Sequence, residues 1–481
     1  MRHTVVISDV HLCESVPGDD AWLRWRQRPY LPDEEFASLV DALIAEAHAP
    51  GDAIEFVFNG DLFDFDAGRV IEGRAMFEDL PRTEPVAIDL ITRILDDHQG
   101  YVAALARLLT AGPNRAVFVS GNHDPQLAFE GVRRAIRDAV ARAAGDDSVA
   151  ERVLFRAWFH HTPDGVHIEH GNQYDPYCSF RYPMMPHGPM PGTAEPEIMP
   201  TVGSIAFRYM ASRMGYFNPH VDASFMLSAP GYVAHWVKHY LFAPRALIQP
   251  FAVGLVRMFS QLMAGRDVAS LDRAAQNIQR AASETGADPV AVARHAALFS
   301  RPAQDALHKV VREFWVDRAM LGALCAAAVT VPIFARNNRA AVGVAIGLPM
   351  IFAAYEYAVP KPSLDDNWNA VRSMSPRIAE IYGVRAVVFG HTHIPYGRWE
   401  RGVFHGNSGT WSAAYRAVES TEAPTPTAKP VIWLRSDGSH IEGGLYKWAD
   451  AHLLPDYSSD DEGRVEEVPM VVGGRSIPAP A

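Results

Sequence analysis

The sequence predicts an α/β fold: a largely parallel sheet interrupted by a large all-helical insertion. Three observations predict it. Short apolar runs alternate with helical periodicity through the first third of the chain, as expected of strands buried on both faces. From about 201 to 358 the chain reads as helix alone. Strand-like runs return after 386, so one sheet layer that resumes after the interruption is the economical arrangement.

Val5-Val6-Ile7 is the first strand, and a helix follows near Glu34–His48, where Phe36, Leu39, Val40, Leu43 and Ile44 recur at helical spacing. Ile54–Phe58 is the second strand, a longer helix covers roughly Val86–Leu109, Ala116–Val119 is the third strand, and a helix follows near Leu127–Ala144. Val153–His160 and Val166–His170 flank Pro163-Asp164-Gly165, a hairpin signal. Residues 176–200 are crowded with Pro, Met and Gly and read as a loop or linker. After the helical stretch come Ala386–Phe389, Val403–His405 and Val431–Leu434 as strands. From about 451 the chain turns acidic and then Pro/Gly-rich, as a frayed tail does.

Composition narrows the function classes. At 481 residues the chain has room for two or three domains, at roughly 100–200 residues each. Its 44 Lys and Arg against 56 Asp and Glu give a net charge of −12, which argues against bulk nucleic-acid binding. Cys13, Cys178 and Cys325 share no metal-type spacing and cannot build a disulfide framework, which suits a reducing compartment. Arg2–Asp9 has neither an apolar signal core nor a small-residue cleavage site, so it reads as a strand and the expected location is cytoplasmic.

Five clusters carry the chemistry, each directly after an expected strand: Asp9-Val10-His11, Gly60-Asp61-Leu62-Phe63-Asp64, Gly121-Asn122-His123-Asp124, His170-Gly171-Asn172 and Gly390-His391-Thr392-His393. Sites in open α/β sheets gather at the carboxyl ends of strands, so clusters spread over nearly 400 residues should converge. Carboxylates, imidazoles and an amide oxygen form a mixed O/N donor set that suits Mn, Fe or Zn better than Ca or Mg. Alone, an Asp-x-His pair or a Gly-Asp turn is common. All five in this order are not.

The set resembles the calcineurin-like metallophosphoesterase family, whose motifs are D-x-H, G-D-x-x-D, G-N-H-[DE], a later His-Gly and G-H-x-H. The likeness covers 1–175 and about 361–440. It implies a four-layer αββα sandwich with two metal ions between its sheets. By position, Asp9, His11, Asp61 and His393 would hold one ion, and Asp61, Asn122, His170 and His391 the other, with Asp61 bridging. His123 would act as general acid or stabilise the leaving oxygen, Asp124 would orient His123, and Asp64 would support the ligands. Two ions, Mn first and Fe or Zn next, would make a hydroxide available near neutral pH and neutralise phosphoryl oxygens. The expected activity is hydrolysis of a phosphomonoester, phosphodiester or pyrophosphate.

The resemblance divides the chain into a catalytic domain at 1–175 and 361–450, an insertion or lid at 176–360, and a tail at 451–481. Asn172, Gln173 and Asp175 could line the phosphate site or cap the turn. His405–Thr410 reads as structural, His160, His161 and His167 as ordinary strand residues, and Cys13 as a small buried hydrophobe.

The insertion bears on substrate. Segments 319–335 and 340–358 are nearly charge-free and separated by Arg336-Asn337-Asn338-Arg339. They read as a membrane-associated hairpin, the alternative being a buried hairpin in the lid. Residues 201–358 hold 15 Lys and Arg against 9 Asp and Glu, a net +6, so the rest of the −12 chain carries −18. A basic, apolar lid suits a lipid-linked or amphiphilic phosphorylated substrate or anionic lipid. The chain also looks like the UDP-2,3-diacylglucosamine hydrolases in its D-x-H, G-D-L-F and G-H-T-H motifs. It departs from them in having His123 where they carry Arg, and in placing its insertion after the His-Gly motif. Other readings are a soluble nucleotide or phosphoprotein phosphatase whose insertion binds proteins, a nuclease (disfavoured by the charge), and a membrane-associated non-catalytic scaffold.

Overall fold

Two mixed sheets organise the chain in a computed structural model. It describes residues 1–16, 26–28, 31–47, 49–72, 74–76, 80–180, 187–189, 196–211, 271–313, 316–334, 338–358, 364–413 and 428–456, with a few shorter pieces. Strand β1 (Arg2–Ile7) is the hub of the larger sheet. Parallel to it run β2 (Ala53–Asn59), β3 (Arg115–Val119) and β4 (Val153–Arg156), in that order. The smaller sheet contains β5 (Phe159–His161), β6 (Val166–Glu169), β7 (Ala386–Phe389), β8 (Tyr396–Glu400) and β9 (Val403–Asn407), in the order β8-β9-β7-β6-β5. There β6, β7 and β9 are parallel and the two edges antiparallel. β10 (Lys429–Ser436), β11 (Ile441–Ala449) and β12 (His452–Pro455) extend the larger sheet antiparallel from β1.

Side chains alternate across a strand, and here both faces are covered. Ile432, Val6, Val57, Val117 and Leu154 stand in register across five strands. They pack against Val166, Ile168, Ala386, Val388 and Phe404 of the smaller sheet. The opposite face, with Val5, Ile7, Phe56, Phe58 and Phe118, is covered by α1 (Asp33–Glu46), α2 (Glu84–Asp97), α3 (Gln99–Thr110) and α4 (Glu130–Ala144). Phe36 of α1 is fully buried and stacks on Tyr101 of α3 at 3.7 Å.

Beyond 201 the described part of the insertion consists of helices and their short connections. α5 (Leu271–Thr285) and α6 (Pro289–Ala296) bury Ala281, Ala282 and Val292 against Trp158 and Phe159. α7 (Val316–Phe334) and α8 (Asn338–Ala358) pair antiparallel, since Tyr355 near the end of α8 bonds Asp317 near the start of α7. Among the described residues, no helix is long and apolar enough to cross a membrane. α9 (Leu364–Tyr382) returns the chain to the smaller sheet, packing Val371 and Ile378 on Val387 and Phe389.

Four expectations are corrected. The single resuming sheet is two, and the returning strands divide between them. Val153–His160 is two strands, because the chain leaves the larger sheet after Arg156 and enters the smaller at Phe159. The helix over Val86–Leu109 breaks at His98, whose imidazole is held by Asp33 and the Cys13 carbonyl. The ordered sheet runs past 450 into β12, while 457–470 lies outside the described residues. Parts of 176–200, and 212–236 within the insertion, also lie outside them.

Candidate metal centre

All five clusters stand at the carboxyl ends of strands: Asp9 after β1, Asp61 after β2, Asn122 after β3, His170 after β6 and His391 after β7. Beyond the strands, the first two clusters stay bonded to each other. Asp9 N–H donates to Gly60 O at 3.1 Å and His11 N–H to Asp61 O at 3.0 Å. Gly60 has φ +82°, and a Cβ there would strike the His170 ring, so the backbone approach requires glycine. A Cβ at Gly121 would strike Asp61 in the same way.

The convergence yields two adjoining groups able to hold a cation. Asp9, His11 and His393 form one, and Asp61, His170 and His391 the other, each offering ligand atoms within 4.8 Å of one another. His393 Nε2 lies 3.1 Å from Asp9 Oδ1, and His11 Nε2 lies 3.4 Å from His393 Nε2. Ligands on one ion with bonds of about 2.0–2.2 Å stand at such separations. His170 Nε2 lies 3.1 Å from Asp61 Oδ2 and 4.0 Å from Asp9 Oδ1, so the groups touch. His170 Nδ1 donates to Asn59 O at 2.8 Å, which fixes the ring and turns Nε2 inward.

Asn122 supplies the test of fit. Its Oδ1 is buried and makes no hydrogen bond, an arrangement that is costly unless something electropositive faces it. A mixed set of carboxylate, imidazole and amide donors accepts a divalent ion. The expected ligands Asp9, His11, Asp61, His170, His391 and His393 are therefore brought together, and Asn122 presents the orphan oxygen.

The charges are concentrated. Burial would raise the carboxyl of Asp61, but His170 and His123 pull it well below the usual range. Asp9 is likewise lowered, by His170 and His393 against burial. Burial would lower the imidazoles, yet Asp61 and Asp9 raise His170 to about 9, and Asp61 and Asp64 raise His123 to about 10. Burial lowers His11, against the pull of Asp64.

His123 sits beside the groups rather than between them. Its Nδ1 is 3.3 Å from both Asp64 Oδ1 and Asp66 Oδ2, and its backbone N–H donates to Asp61 Oδ1 at 2.7 Å. Asp64 also reaches His11 Nδ1 at 3.5 Å, in keeping with a supporting role. The geometry places His123 within a third group as well, with His11 and Asp64. Asp124 does not orient His123 as expected. Its carboxylate accepts from Gly121 N–H at 2.6 Å and Leu62 N–H at 3.0 Å, binding two motif loops together. The orienting carboxylates are Asp64 and Asp66.

Asn172 caps rather than lines: its Nδ2 donates to Cys178 O at 2.9 Å, and Gln173 Oε1 accepts from Phe180 N–H at 3.2 Å. Asp175 also caps, accepting from Tyr177 N–H, and its Oδ2 lies 3.2 Å from His391 Nε2. His405 bonds Ser375, and the following segment braces the site, with Thr410 and Ser412 both donating to Asp9 O. His160 bonds Glu55. His167 joins Glu169 and His295 in a separate buried group, where Glu169 also accepts from Trp158 and Tyr174. Cys13 is buried, and burial raises its thiol to about 12.

Sequence reasoning missed four residues. Asp66 continues the Asp61, Asp64 series at i+2 spacing, a readable signal. Ser204, Phe207 and Arg208 carry no motif, yet they wall the site. Ser204 Oγ donates to Asn122 O at 3.2 Å, Phe207 lies edge-on to His123 at 5.3 Å, and Arg208 donates to Asp66 O at 3.1 Å. No protein-family model matches the chain, and no curated protein matches it.

Proposed function

We propose that this chain is a dinuclear, metal-dependent phosphoesterase of the calcineurin-like kind. The observation that carries the reading is the pair of adjoining groups, Asp9 with His11 and His393, and Asp61 with His170 and His391, beside the orphan oxygen of Asn122. Two sheets packed face to face, with helices outside each, support the αββα sandwich the motifs imply. Two bound divalent ions, Mn foremost with Fe or Zn as alternatives, would supply a water nucleophile of lowered pKa and neutralise phosphoryl oxygens.

The chain's own residues divide the remaining work. Asp61, the carboxylate that would be shared by both ions in the resembled pattern, turns Oδ2 to His170 and accepts at Oδ1 from the His123 backbone N–H. Against burial, Asp61 and Asp64, and after them Asp66, raise His123 to about 10, so its ring can hold a proton for the leaving oxygen. The start of the insertion closes the site beside His123 through Phe207. The substrate class is a phosphorylated small molecule or lipid-linked phosphate. A nucleic-acid substrate is disfavoured by the net charge of −12. The three unpaired cysteines suit a cytoplasmic setting.

The test is hydrolysis of an artificial aryl phosphodiester and monoester by the full chain with added Mn. Activity should fall by about 10²-fold or more in Asn122→Ala and His391→Ala, the scale of a lost ligand or its support. Unchanged hydrolysis in both variants would remove the metal centre from the mechanism.

A further inference from the structure

We propose that the α7–α8 hairpin is a lipid-surface anchor that lies in the plane of an anionic membrane. The inference stands apart from the phosphoesterase reading. Its first support is the distribution of polarity. In a water-facing helix pair, apolar side chains meet and charges point outward. Here the arrangement is inverted. Arg318 is 5% exposed, and Asp317 bonds Tyr355 within the pair. Met320, Leu324, Val342, Met350, Ile351 and Tyr357 are 54–95% exposed. At 3.6 residues per turn, and Gly322 aside, the exposed positions 320, 324, 327, 328 and 330 of α7 fall within an arc of about 160°, and 342, 343, 350, 351, 353, 354, 357 and 358 of α8 within about 180°. A wide apolar face turned outward on each helix calls for a cover, and among the described residues no protein core covers these positions.

The second support is where the charges stop. Between Arg318 and Arg336, and between Arg339 and Glu356, the sequence has no Asp, Glu, Lys or Arg. Charged groups mark both ends of the hairpin, with Asp317, Arg318 and Glu356 at the base and two arginines at the turn. At about 1.5 Å per residue, the 19 and 21 residues of α7 and α8 span about 28 and 31 Å. Charges at both ends of an apolar rod fit either a crossing or a rod lying at the boundary of headgroups and acyl chains. An apolar face on one side of each helix, with Arg318 of α7 turned away from it, fits the second. Both ends then stay at headgroup depth, with Tyr355 and Tyr357 at the level such rings favour.

Charge selects the lipid. Residues 201–358 carry +6 on a chain whose remainder is −18. An anionic surface attracts the one and repels the other, which orients the hairpin toward the lipid and the acidic domain away from it.

The experiment is co-sedimentation of the full chain with sucrose-loaded vesicles, one set of phosphatidylcholine alone and one with added phosphatidylglycerol. Binding is expected, stronger on the anionic set, and roughly tenfold or more weaker in the triple variant Leu324→Glu, Met350→Glu, Ile351→Glu. These side chains are exposed, so circular dichroism and bound-metal content of that variant should match the parent. In Arg339→Cys, a membrane-impermeant maleimide added outside the vesicles should add one label over the parent chain. Failure of the parent to sediment with either set overturns the proposal. So does equal binding by the triple variant, protection of the Arg339→Cys thiol from the maleimide, or a vesicle-independent dimer that the triple substitution dissolves.

Discussion

Asp9, His11, Asp61, His391 and His393 hold φ between +51° and +68°, and they make up five of the nine non-glycine residues with positive φ among those described. Each such conformation costs an L-residue roughly 1–2 kcal/mol. The convergence of the clusters also sets a proton balance. His170 is held protonated to about pH 9 by Asp61 and Asp9, and a metal ligand must give up that proton. Metal affinity should therefore strengthen as pH rises from 6 toward 9, by roughly tenfold per unit for each proton displaced. Calorimetric titration with Mn in buffers of different ionisation enthalpy should show proton release at pH 7. Binding without proton release would mean that His170 is not a ligand. Asp61 and Asn122 were readable in the sequence because glycine, a donor and a preceding apolar run coincide. The role of Asp124 was not, because its position suggests contact with His123 while its oxygens go to backbone N–H groups across a loop.

At the level of elements, α1 shows how far local pattern reaches. Phe36, Leu39, Val40 and Leu43 are all buried, as their spacing predicts. Spacing does not reveal the partner, which is Tyr101 of α3 and the Phe56, Phe58 face of the larger sheet. Phe36→Ala should cost about 3–5 kcal/mol of stability, measured by urea unfolding, with bound-metal content retained. A loss below about 1 kcal/mol would mean the helix does not dock as described. The break between β4 and β5 was illegible for a related reason. Arg156-Ala157-Trp158 carries no glycine or proline to mark a turn, and what separates the strands is that their partners lie in different sheets. The helical insertion was legible in type from its composition. Its contacts at Ser204, Phe207 and Arg208 were not, because a serine, a phenylalanine and an arginine on a helix announce no chemistry by themselves.

For the whole molecule, the candidate metal centre draws on both sheets. Asp9 and Asp61 come from the larger, and His170 and His391 from the smaller. Ions bound there would tie the sheets together and neutralise buried carboxylates. Saturating Mn at about 100 times its dissociation constant should add about 2.7 kcal/mol of stability, seen as a rise in the melting temperature that a chelator reverses. Asn122→Ala should shrink that rise. An equal rise in the variant would mean that Mn acts elsewhere on the chain.

The bond from Thr410 Oγ1 to the carbonyl of Asp9 spans 401 residues, and it has a temporal meaning. A ribosome releases the first three strands, with Asp9 and Asp61, long before it makes His391, His393 or the bracing Thr410 and Ser412. Until then the nascent chain carries a cluster of aspartates lacking two of the imidazoles that offset them, and the 201–358 stretch must emerge in between. Late-closing contacts of this kind leave apolar surfaces waiting and slow the final assembly. Completion of the last hundred residues is thus the event that brings the two candidate ligand groups together. A chain truncated before 386 would keep its first strands yet fail to assemble either ligand group.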